Sequence, residues 1–370
     1  MSFTEKFNQI DLDDLKLRLY SKTQKDVDRA LQRPERNLDN LMALLSPAAE
    51  DYIEQMAQSS VALTRQRFGS NIGMYLPMYL SNLCANECDY CGFSMSNRIK
   101  RVILNKEEIE EECKILKSWG IDSILLVSGE HETKVGIEYF KKVVSQVKKH
   151  FSHVAIEVQP LTQDEYHQLV ELGLDAVMVY QETYQPHTYA QHHLRGNKSK
   201  FDYRLETPDR LGNAGVDKIG LGVLLGLDDW RLDALMMGHH LDYMEKKYWR
   251  SRYSISLPRL RPCVGGVHPK VELTDVGLVQ LICAFRLFNP QLDISLSTRE
   301  EAGFRENLLP LGITHVSAGS STEPGGYLHP KTELSQFEIS DERGVLEFAN
   351  VMRARGLNPV FKDWEAEWVS

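Results

Sequence analysis

Short apolar runs alternate with amphipathic segments along most of the chain after residue 70. The runs have the length of buried strands, and the segments between them place apolar residues three or four positions apart, as helices do. This alternation predicts eight strands, at residues 74–83, 123–128, 154–158, 176–180, 219–225, 253–257, 292–297 and 314–318. Eight strands with helices between them favour an α/β fold, a TIM-type (β/α)8 barrel.

The two ends of the chain depart from this alternation. Residues 1–70 carry long charged and apolar stretches interrupted at Pro34 and Pro47, which predicts three or four helices before the barrel. These helices either brace the barrel or form a simple packing extension. Near the other end, a helical stripe at 345–352 and the segment 359–364 predict a closing helix and then a lid-like strand or loop. The predicted organisation is an N-terminal helical extension at 1–70, a barrel at 71–335 and a C-terminal helix and lid segment at 336–370.

One interval within the barrel does not fit the pattern. Residues 181–200 are too polar and too aromatic for a helix core, so we predict a long loop there, followed by a helix around 203–211. Long loops at strand ends usually carry function. Gly220, Gly222 and Gly226 lie two and four residues apart at the fifth strand. Either a ligand ring approaches the backbone there, or the glycines serve a bulge or barrel packing.

Composition and charge argue against two classes of function. The 370 residues are 42% hydrophobic, with a net charge of -9 and a pI near 5.8. No basic face or polybasic run is evident, which disfavours binding to nucleic acid or to a membrane surface. No stretch is apolar over the roughly 18 residues that a membrane span needs, and the N-terminus lacks an apolar signal core. We therefore expect a cytoplasmic protein with no nucleic-acid or membrane partner.

Three of the six cysteines lie within eight residues, at Cys84, Cys88 and Cys91, after the first predicted strand. The others are scattered and do not complete the set: Cys113, Cys263 and Cys283. A structural zinc site or an electron-transfer cluster normally takes four protein ligands, so three thiolates leave one metal position open for chemistry. The alternatives are a zinc knuckle or a chance group of free thiols. A disulfide framework is disfavoured, because three clustered cysteines cannot all pair with one another.

The cysteine spacing, with Tyr90 just before the third cysteine, resembles the signature of the radical S-adenosylmethionine (SAM) enzymes. The resemblance implies a [4Fe-4S] cluster held by Cys84, Cys88 and Cys91, with SAM chelating the fourth iron and Tyr90 among the cofactor contacts. An electron from the cluster would split SAM and give a 5'-deoxyadenosyl radical. In such barrels the chemistry lies at the C-terminal ends of the strands, so the other strand ends should converge on the cysteines.

Two further strand ends resemble cofactor-binding motifs of this family. Ser128-Gly129-Glu130 resembles a Gly-Gly-Glu motif that takes the methionyl amino group of SAM through backbone oxygens, with serine as the first residue here. The alternative is an ordinary strand-to-loop turn. Glu182 and Arg204 resemble a carboxylate that holds the cofactor ribose and an arginine that holds its carboxylate, a task suited to a forked guanidinium. The alternative for this pair is a surface ion pair.

A longer set of motifs resembles one subfamily, the tyrosine lyases of thiamine biosynthesis. The motifs are Arg67-Phe-Gly69, residues 77–82, 91–94, 193–204 and 297–300, and the tail through Trp364. The resemblance implies removal of a hydrogen atom from L-tyrosine and cleavage of its Cα–Cβ bond, with release of p-cresol and dehydroglycine (2-iminoacetate). It also implies thiazole synthase as the partner that uses dehydroglycine, and a reductant protein, with a flavodoxin/NADPH system as the candidate.

Three alternatives to this activity stay open. A hydrogenase-maturation relative uses the same tyrosine chemistry but resembles this chain plus a cysteine-containing C-terminal extension, whereas no cysteine follows Cys283 here. A tryptophan-cleaving relative shares the barrel motifs. A non-enzymatic iron-sulfur carrier would bind the cluster without consuming SAM.

The segment 297–300 lies where the seventh strand should open onto the barrel mouth. A substrate carboxylate removed from water needs a paired charge, and a guanidinium supplies both the charge and the orientation. The resemblance implies that Arg299 is this clamp, with Ser317 of the eighth strand beside it. The alternative is an arginine in the first turn of the next helix, paired with Glu300 or Glu301.

Overall fold

The centre of the fold is a closed barrel of parallel strands. The structure is a computed structural model, and it describes residues 2–32, 36–263, 266–329 and 334–362. Its strands are β1 (Asn71–Ser81), β2 (Glu87–Cys88), β3 (Ser123–Ser128), β4 (His153–Glu157), β5 (Ala176–Met178), β6 (His193–Arg195), β7 (Lys218–Gly222), β8 (Arg252–Ser256), β9 (Asp293–Leu296), β10 (His315–Ser317) and β11 (Asn358–Val360). Around the barrel the order is β1, β3, β4, β5, β7, β8, β9 and β10, and β10 pairs with β1 to close the sheet. The predicted eight-stranded α/β barrel is confirmed, with each strand close to its predicted position.

Helices surround the barrel and precede it. They are α1 (Phe3–Phe7), α2 (Leu12–Tyr20), α3 (Gln24–Gln32), α4 (Leu38–Leu45), α5 (Ile53–Phe68), α6 (Lys106–Ser118), α7 (Ile137–Val147), α8 (Gln163–Glu171), α9 (Pro186–His192), α10 (Phe201–Leu205), α11 (Thr207–Ala214), α12 (Trp230–Lys247), α13 (Asp275–Phe288), α14 (Ala302–Leu308) and α15 (Val345–Ala354). Local sequence explains several helix ends; for example, Thr162 and Glu165 form a reciprocal capping box at the start of α8. Within the described part of the chain, no helix is both long and apolar enough to cross a membrane.

Five α-helices, α1 to α5, and a 3-10 helix at Pro47–Tyr52 precede the barrel in the described residues. The sequence predicted three or four, because the five residues of α1 are too few to show a periodic stripe. These helices pack on the barrel wall, where the Gln280 amide of α13 donates to the carbonyls of Leu44 and Ser46, each at 2.9 Å. The predicted break at Pro34 lies outside the described residues.

The interval 181–200 is not the long loop that its composition predicted. It contains α9, β6 and a 3-10 turn at Asn197–Ser199, and the helix predicted at 203–211 is divided into α10 and α11. Pro186 begins α9, and Tyr189 within it is completely buried. The prediction was wrong because the aromatic residues that interrupt a helical stripe serve packing between elements. β6 pairs antiparallel with β2, so this interval is attached to the loop that carries the cysteines.

The glycines of β7 make room for side chains from β5 and the residues that follow it. A Cβ atom on Gly220 would lie 2.1 Å from the sulfur of Met178, and one on Gly222 would lie 2.4 Å from the ring of Tyr180. Both distances are well below van der Waals contact, so a side chain at either position would displace its neighbour. Barrel packing therefore explains these two glycines, and the space beside them is occupied rather than open to a ligand ring.

The C-terminal segment reaches both ends of the barrel. β11 pairs in parallel with the first residues of β1, so it lies at the opposite end from the cysteine loop. The earlier part of the segment lies across the mouth, where the carbonyl of Gln336 accepts a hydrogen bond from the Gly92 N–H at 2.9 Å. The strand predicted at 359–364 is thus present but is not a lid over the mouth. Asp363 and Trp364 lie outside the described residues.

Candidate active site

A large cavity opens at the C-terminal ends of the barrel strands. It holds about 1380 Å³ of space, including its open mouth, which is room for more than one small ligand. All the site residues predicted from the sequence line this cavity: Cys84, Cys88, Tyr90, Cys91, Ser128, Gly129, Glu130, Glu182, Arg204, Arg299 and Ser317. These residues are far apart in the sequence, and the barrel brings them together because parallel strands end on the same side.

The cysteine loop after β1 is held in place by Arg101. Its guanidinium donates to the carbonyls of Asn82, Phe93, Ser94 and Asn97, at 2.7, 2.8, 2.6 and 3.0 Å. An irregular loop leaves backbone carbonyls without strand partners, and a five-donor side chain can satisfy several of them at once. The loop that presents the three cysteines therefore has a fixed shape of its own.

The surroundings of the cysteines fit an iron–sulfur cluster. Within the described residues, no three His, Cys, Asp or Glu side chains are placed to hold one metal ion. A cluster differs because it spreads its thiolate ligands over separate irons. Two N–H donors also point at the sulfurs: the backbone of Asn86 toward Cys84 at 3.5 Å, and the Gln336 amide toward Cys91 at 3.7 Å. Hydrogen bonds to cluster sulfurs are a known means of tuning their potential.

Burial disfavours free thiolates at this position. Desolvation raises the pKa of Cys84 to about 11, and the neighbouring Glu130 and Cys91 act in the same direction. Desolvation likewise raises the pKa values of Cys88 and Cys91. Three thiolates here need a strong positive partner, which is what bound iron provides.

Four charged residues form a buried network beside the cysteines. The Nζ atom of Lys198 lies 2.7 Å from Glu182, and Arg204 lies 3.0 Å from Glu130 and 3.7 Å from Glu182. None of the four side chains is more than 14% exposed, so the surface ion pair considered for Glu182 and Arg204 is wrong. Lys198 was not predicted as a site residue, and it enters from the 3-10 turn after β6.

Glu182 has a strained backbone conformation. Its φ of 71° lies in the left-handed region, where no other non-glycine residue of the described chain is found. Such strain persists only where the surroundings impose it, and it is concentrated at functional sites. Desolvation raises the pKa of Glu182, but Lys198 and Arg204 outweigh it and leave that pKa below its ordinary value. The carboxylate is therefore ionised and able to accept hydrogen bonds from ligand hydroxyl groups.

The segment after β3 approaches the cysteine loop closely. A Cβ atom on Gly129 would lie 2.6 Å from the carbonyl oxygen of Leu83, so this position requires glycine. The Ser128 hydroxyl donates to the carbonyl of Gly129 at 2.8 Å, and the carbonyl of Glu130 accepts from the Ala85 N–H at 2.8 Å. Each carbonyl keeps a second lone pair for a ligand donor.

Tyr90 forms a buried pair with His193. Its hydroxyl lies 2.6 Å from Nε2 of His193, whose Nδ1 lies 2.7 Å from the carbonyl of Tyr189. Because a carbonyl can only accept, Nδ1 carries the proton and Nε2 accepts from Tyr90. Desolvation lowers the pKa of His193 to about 2, in agreement with a neutral ring. The pair fixes the Tyr90 ring at the cavity wall.

Arg299 faces the cavity from the loop after β9. Its guanidinium carbon lies 3.5 Å from the ring centroid of Phe337, and it donates to the carbonyl of Arg259 at 3.3 Å. The alternative of pairing within the next helix is wrong, because Glu300 binds Arg259 and α14 begins only at Ala302. Within the described residues Arg299 has no carboxylate partner.

Ser317 ends β10, inside the barrel. Its register partner on β1 is Tyr75, and both residues line the cavity. Its carbonyl accepts from Arg305, a fully buried residue whose other partner is Asp341. Arg305 does not line the cavity, so its contact with Ser317 lies outside the cavity.

Glu157 was not predicted as a site residue. It is the last residue of β4 and lines the cavity with Tyr75, Tyr79 and Tyr180. Desolvation raises the pKa of Glu157 to about 7, while the charge of Arg299 opposes this rise. The carboxylate has no hydrogen-bond or ion-pair partner within the described residues. The signal in the sequence was a charged residue within an otherwise apolar predicted strand.

Gln336 connects the cavity with the cysteine loop. The Tyr79 hydroxyl donates to Oε1 of Gln336 at 2.8 Å, and Nε2 of the same amide points at the sulfur of Cys91. Nothing in the local sequence marks this residue, which lies 245 positions from Cys91. Only the path of the C-terminal segment across the mouth brings it to the site.

Comparison with known proteins agrees with this geometry. Residues 78–237 match the Radical SAM superfamily, and residues 256–358 match the Biotin and Thiamin Synthesis associated domain. Proteins curated as 2-iminoacetate synthase from Salmonella typhimurium and Escherichia coli are 54% and 52% identical over 366 residues, which is 99% of this chain and 97% of each relative. The crystal structure of HydG, a maturase of the [FeFe]-hydrogenase, matches with a TM-score of 0.89 at 31% identity, over 96% of this chain and 80% of that one.

The sequence identity extends well beyond the cysteine loop. It covers the N-terminal helices, the barrel and the C-terminal segment, and it does so over nearly the full length of both curated relatives. The chain therefore belongs to the 2-iminoacetate synthases, a family of radical SAM enzymes.

Proposed function

We propose that the protein cleaves the Cα–Cβ bond of L-tyrosine and releases 2-iminoacetate and p-cresol, with 5'-deoxyadenosine and methionine formed from SAM. The observation that carries this proposal is the 54% identity to a curated 2-iminoacetate synthase over 99% of the chain. Family membership implies a [4Fe-4S] cluster and SAM as cofactors. The cavity supports the proposal because it combines the three cysteines with a guanidinium that has no carboxylate partner in the described residues.

One side of the cavity would hold the cofactors. The three cysteines bind the cluster, which together with SAM supplies a 5'-deoxyadenosyl radical able to remove a hydrogen atom from the substrate. Glu182 accepts hydrogen bonds from the ribose hydroxyls, and Arg204 keeps N–H donors for the cofactor carboxylate although it also binds Glu130. Tyr90 and residues 128–130 complete this side of the cavity.

The other side would hold the substrate. Arg299 binds the carboxylate of the amino acid, and Ser317 lies on the neighbouring strand within the same cavity. Phe337 covers one face of the guanidinium and keeps water away from it. Removal of water strengthens an ion pair and fixes the substrate carbon that must meet the radical.

The partners proposed for the protein follow from this reaction. 2-Iminoacetate is an imine that water hydrolyses, so a nearby consumer is needed, and we assign this role to thiazole synthase. The cluster needs an electron, for which we propose a reductant protein of the flavodoxin/NADPH kind.

The division of the chain is a separate proposal. We propose three units: a helical extension at 1–70, the barrel at 71–335 and a C-terminal unit at 336–370. A cytoplasmic location stays a prediction.

L-Tyrosine, rather than L-tryptophan, is the expected substrate. Anaerobically reconstituted protein with a reductant and SAM should convert tyrosine to p-cresol and glyoxylate, the hydrolysis product of 2-iminoacetate, with formation of 5'-deoxyadenosine. Chromatography of parallel reactions with each amino acid measures the preference. A preference for 3-methylindole-type products, or carbon monoxide and cyanide as end products, would assign the activity of a relative instead. SAM that is bound but never consumed would indicate a carrier.

Gln336→Leu is expected to make the cluster harder to reduce. The amide N–H that points at Cys91 stabilises the additional negative charge of the reduced cluster. Loss of one such bond corresponds to about 1 kcal/mol, on the order of 40 mV for one electron. A potentiometric titration followed by electron paramagnetic resonance measures the shift. Tyr79→Phe keeps the amide and should shift the potential less; an unchanged potential in Gln336→Leu would contradict the role of this hydrogen bond.

A further inference from the structure

The charges that line the cavity do not all find partners among the described residues. The charged side chains are Glu130, Glu157, Glu182, Lys198, Arg204 and Arg299. Four of these satisfy one another in the buried network, at 2.7, 3.0 and 3.7 Å. Glu157 and Arg299 remain, and neither forms an ion pair within the described residues. In the part of the chain that the structure describes, the cavity thus presents one unmatched carboxylate and one unmatched guanidinium.

Glu157 and Arg299 are close enough to influence each other without being paired. Desolvation raises the pKa of Glu157, and the charge of Arg299 acts to lower that pKa. Desolvation lowers the pKa of Arg299, and the charge of Glu157 acts to raise it. Two opposite charges that are near each other but unpaired leave a gap, and a ligand that fills this gap should carry both complementary charges. An α-amino acid carries a carboxylate and an ammonium group on the same carbon.

We propose that Glu157 binds the α-ammonium group of the substrate amino acid while Arg299 binds its carboxylate. This inference rests on the proposed function, since it takes an amino acid as the substrate. Together the two side chains would hold the Cα atom at two points and fix its orientation toward the cysteine side of the cavity. A buried charge without a partner is costly, so each group gains most when the matching charge arrives.

The phenol group of tyrosine has other candidate partners. Tyr75, Tyr180 and Ser256 line both the large cavity and a smaller one deeper in the barrel, so they form the floor between the two. All three carry hydroxyl groups, and burial raises the pKa values of Tyr75 and Tyr180, so these hydroxyls stay neutral. A neutral phenol is suited to neutral hydroxyl groups. The ionisable carboxyl of Glu157 is better matched by a cation.

Binding of three ligands to the enzyme reconstituted with cluster and SAM tests this assignment. The ligands are L-tyrosine, 3-(4-hydroxyphenyl)propanoate, which lacks the ammonium group, and tyramine, which lacks the carboxylate. Glu157→Gln should weaken binding of tyrosine and of tyramine on the order of 10- to 100-fold and leave the propanoate unchanged or tighter. Arg299→Gln should weaken binding of tyrosine and of the propanoate but not binding of tyramine.

Glu338→Gln is the matched control. Glu338 is exposed and lies one residue after Phe337, at the mouth but outside the cavity lining. All three ligands should bind to this variant as they do to the wild-type protein. Iron content and thermal melting of each variant report whether the cluster and the fold are intact.

Three outcomes would overturn the assignment of Glu157. In the first, Glu157→Gln binds tyrosine with unchanged affinity. In the second, the variant loses equal affinity for tyrosine and for the propanoate. In the third, it loses SAM binding while its affinity for tyrosine is unchanged. If Glu157→Gln does not fold, the wild-type protein decides, because it should bind tyrosine at least about 10-fold more tightly than the propanoate. Equal affinities of the wild-type protein for tyrosine and for the propanoate would contradict the inference. Failure of the proposed function looks different, since the wild-type protein would then neither bind nor cleave tyrosine.

Discussion

Cys84→Ala, Cys88→Ala and Cys91→Ala are each expected to abolish assembly of the cluster and with it all turnover. Each cysteine would supply the ligand of a different iron, so two remaining thiolates cannot hold the cluster in the geometry that leaves one iron open. The wild-type protein should bind about four irons after anaerobic reconstitution. Iron content and the visible absorbance of the cluster measure both expectations. Stoichiometric zinc in the natively purified protein, without iron-dependent absorbance after reconstitution, would contradict the assignment.

The other three cysteines provide the controls for this experiment. Cys113 and Cys283 are completely buried within α6 and α13, so Cys113→Ala and Cys283→Ala should keep the cluster at a modest cost in stability. Cys263 is the most demanding control because it lies near the mouth, where its charge would act on Cys91. Cys263→Ala is also expected to keep the cluster. Loss of iron in this variant would make Cys263 a ligand and the three-cysteine site incomplete.

Arg299→Ala is expected to weaken the binding of L-tyrosine by roughly 10- to 100-fold, which corresponds to about 1.5–3 kcal/mol for a buried charge-assisted hydrogen bond. Arg299→Lys keeps the charge but loses the fork and the stacking on Phe337, so it should be impaired as well. Cluster content and SAM binding should remain near normal in both variants. Equilibrium binding of tyrosine and the yield of p-cresol measure the effect.

Two other arginines separate a substrate clamp from a structural role. Arg261 contacts Ser340 and lines a different cavity, so Arg261→Ala should bind tyrosine as tightly as the wild-type protein. Arg305 is fully buried with Asp341, and removal of one partner of such a pair costs about 3–5 kcal/mol of stability. Arg305→Ala should therefore lower the melting temperature. Wild-type tyrosine affinity in Arg299→Ala would show that the clamp is elsewhere.

Local patterns in the sequence were enough to predict the barrel and the cysteine site. Each strand is a short apolar run whose position depends on its own residues, so the count of eight did not require knowledge of the contacts between strands. The three cysteines lie within eight residues and their spacing is itself the signal. The interval 181–200 is the counterexample, because its aromatic residues are explained by packing against other elements rather than by local periodicity.

The sequence also placed the predicted residues at strand ends, and the barrel then brought them to one cavity. Glu182 and Arg204 were assigned individually, but their place in a buried network with Lys198 depends on the pairing of β6 with β2. A polar stretch such as the one around Lys198 looks like ordinary solvent-exposed loop when only composition is considered. The antiparallel pairing of β6 with β2 turns this stretch, including Lys198, toward the cavity.

By itself, therefore, the sequence determined the parallel barrel and the family and predicted the three iron ligands, because each depends on residues close together in the chain or on overall similarity. Only the tertiary structure decided which remaining side chains meet. Glu157 lies within an apolar strand, and Gln336 lies in a C-terminal segment with no motif. Their positions in the cavity result from closure of the barrel and from the path of the C-terminal segment across its mouth. Such long-range contacts leave no mark on local composition, because they depend on how separate elements pack.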